Sequence, residues 1–195
     1  MRKQAFSILG VLAFALPCAM FSQSHSMAFD ARYSAQISNA SAGNCGCFSL
    51  QGGAADFYLN AVGIGGSHGA GLGAAIDVGS EHTASVNGAP YGLTLTTLTF
   101  GPRIVLPGHK IQPFAQVLLG FAHGSDSAFP AGNILVPSAS SFALDIGGAA
   151  DYSINKRLSV RFVQVDYLRT SLPNISSNWQ NNLRVAAGVT LHFAH

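Results

Sequence analysis

Residues 181–193 alternate almost without interruption. Leu183, Val185, Ala187, Val189, Leu191 and Phe193 fall on one face, and Asn182, Arg184, Ala186, Gly188, Thr190 and His192 fall on the other. A period of two belongs to a β-strand with one apolar and one polar or small face. An apolar face of that length must be covered, either by the core of a large soluble β-protein or by lipid.

The start of the chain has the three zones of a secretory signal peptide: cationic Arg2-Lys3, an apolar run over residues 5–15 and small residues around Ser22 to Ser26. Residues 1–24 are therefore set aside as a signal segment, and residues 27–195 are expected to form one domain. Pro17 beside Cys18 does not fit the small-residue pattern of lipoprotein processing, so Cys18 leaves with the signal. Only 9% of residues are charged, 22 are glycine, and mean hydropathy is +0.31. No stretch after the signal reaches the ~18 consecutive apolar residues of a membrane helix. The net charge of +2 is too small and scattered for a nucleic-acid partner.

Seven further strands precede the last one. The first alternates Phe29, Ala31, Tyr33, Ala35 and Ile37 with Asp30, Arg32, Ser34, Gln36 and Ser38. The second spans residues 48–61, with Phe57 and Leu59 opposite Asp56 and Tyr58. In the third, Leu72, Ala74, Ile76 and Val78 oppose Gly71, Gly73, Ala75 and Asp77; a row of glycines in a strand marks a narrow, packed space. The fourth carries Leu98, Phe100 and Ile104 against Thr97, Thr99 and Arg103, with Pro102 expected to sit in a local bulge. Residues 111–122, a strand with Phe142, Leu144, Ile146 and Tyr152 opposite Asp145 and Asp151, and residues 157–169 supply the fifth to seventh. The connections alternate in length. Those at residues 39–47, 79–90, 123–140 and 170–180 are long and polar; those near Gly63, Pro107 and Ser153 are short. That asymmetry is the one seen in outer-membrane barrels, with long loops outside and short turns in the periplasm.

The charges decide between core and lipid. Arg32, Asp56, Asp77, Arg103, Asp145, Asp151, Asp166 and Arg184 all fall opposite the apolar face. A soluble barrel or sandwich would turn that face to water and load it with Lys and Glu, yet after the signal there are one Glu, Glu81, and two Lys, Lys110 and Lys156. A few Asp and Arg among Gly, Ala, Ser and Thr suit a crowded polar interior whose ions must pair. The expected fold is all-β, an eight-stranded antiparallel up-and-down transmembrane β-barrel. A barrel of this size has room for its own side chains or a small ligand, not for an open channel. Pairing of the last two strands around the loop centred on residues 172–178 sets Asp166 against Arg184. Arg161 falls on the other parity, where it is expected to reach the headgroups.

The step Phe100-Gly101-Pro102-Arg103, the strand start Gln112-Pro113-Phe114-Ala115, Val163-Gln164-Val165-Asp166-Tyr167, and Gln180 to Arg184 leading to an aromatic-ended strand resemble the small outer-membrane β-barrel family, OmpA-like or opacity-type. The resemblance covers nearly the whole mature chain; Ala194 and His195 extend beyond the aromatic at which such chains commonly stop. It implies an outer-membrane location in a Gram-negative bacterium, contact with outer-membrane lipids and lipopolysaccharide, and insertion by the barrel assembly machinery. The implied roles are adhesin, envelope anchor or narrow porin-like protein. An OmpA-type tether to the cell wall is not expected, and neither cofactor nor surface ligand is specified.

Two motifs carry candidate chemistry. His123-Gly124-Ser125 resembles the His-x-Ser pair of lipid A deacylases, themselves eight-stranded barrels, with Asp145 the nearest acidic partner and Asp126 in place of the usual Asn. Cys45-Gly46-Cys47 in the first long loop reads as a local disulfide or a pair of thiols; no metal site is assigned there. The seven histidines show no ligand spacing. The leading reading is a non-enzymatic barrel with a structural or surface-interaction role. A narrow porin-like channel is the alternative, and a deacylase-like hydrolase a minor one.

Overall fold

The computed structural model describes residues 26–38, 47–64, 69–86, 92–174 and 178–194. The signal segment, residues 1–24, and Cys45 lie outside the described residues. Eight long strands form a closed barrel: β1 (Ser26–Ser38), β2 (Phe48–Ile64), β3 (Ala70–Thr83), β4 (Leu93–Val105), β5 (Ile111–Ser125), β8 (Ala139–Ser153), β9 (Leu158–Thr170) and β10 (Gln180–Ala194). Between β5 and β8, the short strands β6 (Phe129–Ala131) and β7 (Ile134–Val136) make a separate hairpin. Every barrel strand pairs antiparallel with its neighbours in sequence. The ring closes where β1 meets β10 in an unbroken register from Ser26↔Ala194 to Ser38↔Asn182. Closure removes the open sheet edges, so each strand's backbone bonds are satisfied within the protein.

Alternation translates directly into inside and outside. On β1 the even-numbered residues from Asp30 to Ser38 are buried in the lumen, while Phe29, Tyr33 and Ile37 project outward. The same rule leaves Ile76, Phe100, Phe121, Phe142, Val165 and Val189 on the exterior. Phe121, 66 % exposed, stands opposite Phe142 on the neighbouring strand. No described helix is long and apolar enough to cross a membrane.

Several sequence expectations need correction. β3 continues through Glu81 to Thr83, where a loop from residue 79 is expected, and Glu81 is fully buried in the lumen. The 123–140 connection is not all loop: β5 runs to Ser125, β6 and β7 fold back on each other, and β8 starts at Ala139. Pro102 makes no bulge. β3 pairs straight through it as Ala74↔Pro102, and β4–β5 pairing resumes in the same register at Arg103↔Gln116 after skipping Gly101 and Pro102. Proline costs one donor and no shift.

The extra residues lie elsewhere, in irregularities at Asn60/Val62, Ala150/Asp151 and Ala186/Gly188. The last two reset the inward parity along β9. There Phe162 and Val163 both face outward in succession, and Arg161 turns into the lumen at 1 % exposure instead of reaching toward headgroups.

Candidate functional site

The lumen is filled in three layers. At the long-loop end lies an apolar plug of Leu50, Leu93, Leu95, Ala122, Ala143 and Leu168, capped by Phe129 from β6 and Leu172. Beneath it is a buried ion network. At the short-turn end the barrel opens into a cup of about 220 Å³ whose wall includes Tyr58, Arg103, Phe114, Asp151, Arg161 and His192.

The network is assembled because inward positions on seven of the eight barrel strands each contribute a charge, and β5 contributes Gln116. The four arginines are Arg32 of β1, Arg103 of β4, Arg161 of β9 and Arg184 of β10. The seven carboxylates are Asp30, Asp56, Asp77, Glu81, Asp145, Asp151 and Asp166, and all eleven groups are buried. Two hubs organise them. Asp56 accepts a bidentate pair from Arg103, Nη1 to Oδ1 and Nη2 to Oδ2, both at 3.0 Å. It also accepts Arg32 Nη1 at 3.0 Å and Arg161 Nη1 at 2.7 Å. Arg184 is the complementary hub. Its Nη2 donates to Asp145 Oδ2 at 2.5 Å and its Nε to Asp166 Oδ2 at 3.3 Å, with Asp77 at 3.5 Å and Glu81 at 3.7 Å.

Arg32 joins the two, since it contacts Asp77 as well as Asp30 and Asp56. Arg161 grips Asp151 with Nε and Nη2, at 2.8 and 3.1 Å. Gln164 links the hubs a second way, accepting from Arg161 Nη1 at 2.9 Å and donating to Asp166 Oδ2 at 2.8 Å. The guanidinium groups of Arg103 and Arg161 both lie over the Phe114 ring, 4.2 and 4.6 Å from its centroid. Planar cations forked onto carboxylates and stacked on an aromatic face are the geometry for which Arg outperforms Lys.

Close packing fixes residue type beside the charges. Gly147 on β8 pairs with Asp166 on β9, and a Cβ at Gly147 would run into the Asp166 carboxylate. A Cβ at Gly188, opposite Arg32 across the β1–β10 seam, would run into the Ala31 carbonyl oxygen and the Arg32 Cβ.

The eight charged positions singled out from sequence, Arg32, Asp56, Asp77, Arg103, Asp145, Asp151, Asp166 and Arg184, thus all face the lumen, and Asp166 stands opposite Arg184 in the β9–β10 register. Sequence alone does not place Arg161 in the lumen, for the parity reason above, nor Glu81, which follows Gly79 and Ser80 where the pattern reads as loop. Asp30 already sat on the polar face of β1, which was signal enough.

The catalytic candidates are not brought together. Asp145 is held by Arg184 inside the lumen, while His123 is exposed outside and its Nδ1 lies 2.8 Å from Ser140 Oγ. Ser125 Oγ donates instead to its neighbour Asp126 at 3.3 Å. Cys47 is disulfide-bonded, and its candidate partner Cys45 lies outside the described residues. Among the described residues no group of three or more His, Cys, Asp or Glu is arranged to hold a metal ion.

Among solved structures, the chain is similar to Neisserial surface protein A, with a TM-score of 0.58 and 15% identity over 86% of this chain and 97% of that one. It is also similar to Ail, the attachment invasion locus protein of Yersinia pestis, solved with the heparin analogue sucrose octasulfate. That match has a TM-score of 0.57 and 13% identity over 88% of this chain and 100% of that one. This chain has the fold of the small eight-stranded barrels. No family model matches the sequence, and no curated protein matches it.

Proposed function

We propose that the chain is an outer-membrane β-barrel of a Gram-negative bacterium with a structural or surface-interaction role. In this reading its long loops face outside, its short turns face the periplasm and its lumen is closed by side chains. One observation carries this reading: the barrel wears its aliphatic and aromatic side chains outside and its ions inside. Of eight Asp and Glu in the chain, seven are lumenal, while Phe29, Ile76, Leu98, Phe121, Val165 and Val189 sit on the exterior. Water would penalise that inversion and lipid rewards it. The partners in this reading are outer-membrane lipids, lipopolysaccharide among them, and the barrel assembly machinery that inserts such chains.

The surface role differs in chemistry from what a sulfated polyanion needs. The long-loop end carries only Arg169 and Asp126 from the chain's Lys, Arg, Asp and Glu, and Arg169 is engaged over Trp179 at 3.8 Å. The exposed apolar residues there include Ile134 and Leu135 of β7 in the β6–β7 hairpin, 65 % and 67 % exposed. A surface contact made by this end would therefore rest on apolar burial rather than on charge.

Cell fractionation combined with heat-modifiable gel mobility tests the reading. The expected result is recovery in the outer-membrane fraction, with a boiled sample migrating differently from an unboiled one. Recovery in a soluble fraction would overturn it.

A further inference from the structure

Outside the lumen, the chain's formal charges are segregated by end. All eight Asp and Glu are placed, seven in the lumen and Asp126 at the long-loop end. Beyond Arg2 and Lys3, eight Lys and Arg remain. Four are lumenal, Arg169 is at the long-loop end, and Lys110, Lys156 and Arg157 are exposed on the short turns. The short-turn surface therefore carries three cations and no Asp or Glu.

The two turns that bear them are neighbours held in place. Ser153 N donates to Lys110 O at 2.8 Å, tying the β8 end to the β4–β5 turn. Asn155 Oδ1 accepts the backbone N–H groups of Arg157 and Leu158 at 2.8 and 2.9 Å, which fixes the loop that presents Lys156 and Arg157. Between the turns and the end of β10 lies an open cleft of about 570 Å³ walled in part by His109, Gln112, Ser153, Asn155 and Lys156. Immediately toward the middle of the barrel, Ile111 and Tyr152 stand opposite each other on β5 and β8, half exposed on the outer wall.

From this juxtaposition we propose that the short-turn end binds the phosphate headgroup of an anionic phospholipid in the adjacent leaflet, with its acyl chains against Ile111 and Tyr152. A soluble phosphate would find the cations but leave the apolar wall beside them unused; a phospholipid matches both. Uncompensated Lys and Arg beside a membrane surface attract anionic lipid, an effect that fades as salt screens it. The inference rests on the membrane-spanning reading above.

The test uses the full chain folded into bilayers of phosphatidylcholine containing phosphatidylglycerol, with spin-labelled lipids reporting which species occupies the barrel perimeter. The expected selectivity for phosphatidylglycerol over phosphatidylcholine is about fivefold, the ratio that ~1 kcal/mol represents. It is expected to fall below about twofold in K110Q/K156Q/R157Q and at high salt, and to be unchanged in R169Q. If the triple variant does not fold, K110Q, K156Q and R157Q singly decide, each lowering the ratio. Equal occupancy by the two lipids in the wild type, full selectivity in the charge variants, or loss of selectivity in R169Q would each overturn the proposal. So would displacement of the labelled lipid by soluble glycerol phosphate. Heat-modifiable mobility run on the same samples separates these outcomes from failure of the barrel reading itself, which would show as absence of the folded band.

Discussion

Asp56 is the residue on which the short-turn half of the network turns, because three guanidinium groups meet its two oxygens. Asp56→Asn would keep the shape and remove the charge, leaving the buried Arg32, Arg103 and Arg161 each short of a partner. Removing one member of a buried pair typically costs about 3–5 kcal/mol. Urea unfolding of the lipid-folded barrel is expected to show a loss of that order, and a change under about 1 kcal/mol would mean the charges are solvated after all. Arg184 and Asp166 provide a sharper measurement. Asp166→Asn, Arg184→Gln and the double variant are expected to give a coupling energy of about 0.5–3 kcal/mol, the range for residues sharing one network. Because Arg184 also touches Asp145, Asp77 and Glu81, Arg184→Gln is expected to cost more than Asp166→Asn. Gly147→Ala tests packing alone. A Cβ there collides with the Asp166 carboxylate, so assembly of the folded, heat-modifiable form is expected to fall although no charge has changed.

At the level of single strands, face assignment is the property to test. Val189 is on the outer wall of β10, and Val189→Arg would place a charge at hydrocarbon depth at a cost of about 2–4 kcal/mol. Ala186, buried in the lumen on the same strand, is expected to fail on arginine substitution through crowding instead. Normal assembly of Val189→Arg would show that the face is misassigned. Where strands run without irregularity, the sequence places them: β1 needs only parity, and the Asp166–Arg184 pair needs parity and the centre of the loop between β9 and β10. Parity fails where a strand takes an extra residue. Phe162 and Val163 are both apolar and both face out, and nothing in their identity says that two consecutive residues share a face; Arg161 was lost for that reason. The apolar plug was equally hard to read. Leu50 and Leu168 share the inward parity of Asp56 and Asp166 yet are aliphatic, since the lumen changes from ionic to apolar along its length and residue type alone marks no depth. Deleting Val163 would leave Phe162 as the single outward residue between Arg161 and Gln164, so strict alternation is expected with Arg161 still in the lumen and the folded band retained; loss of that band would show that the bulge itself is needed.

For the molecule as a whole, the order of the layers bears on transport. A solute entering from the short-turn end finds the cup, then a network in which each arginine bonds across to other strands, and then a plug in which Leu50 and Leu168 are fully buried. Eight strands enclose too little space for these groups to stand aside together. Cross-strand ion pairs such as Arg184–Asp77 and Arg161–Asp56 also join strands three places apart around the ring, so widening the lumen would separate charges in a medium that cannot solvate them. The two barriers are independent, one apolar and one ionic. Trimming the outer one with Phe129→Ala removes the aromatic cap contributed by β6 but leaves the ion network whole. In planar bilayers the wild type and Phe129→Ala are therefore both expected to show no steady single-channel conductance. Combining Phe129→Ala with Arg184→Gln weakens both barriers and is the variant expected to give the first flickering openings. Steady conductance from the wild-type barrel would reverse the argument. It would mean that the ion network rearranges to pass solutes, and that the narrow porin-like function describes this chain better than a closed barrel does.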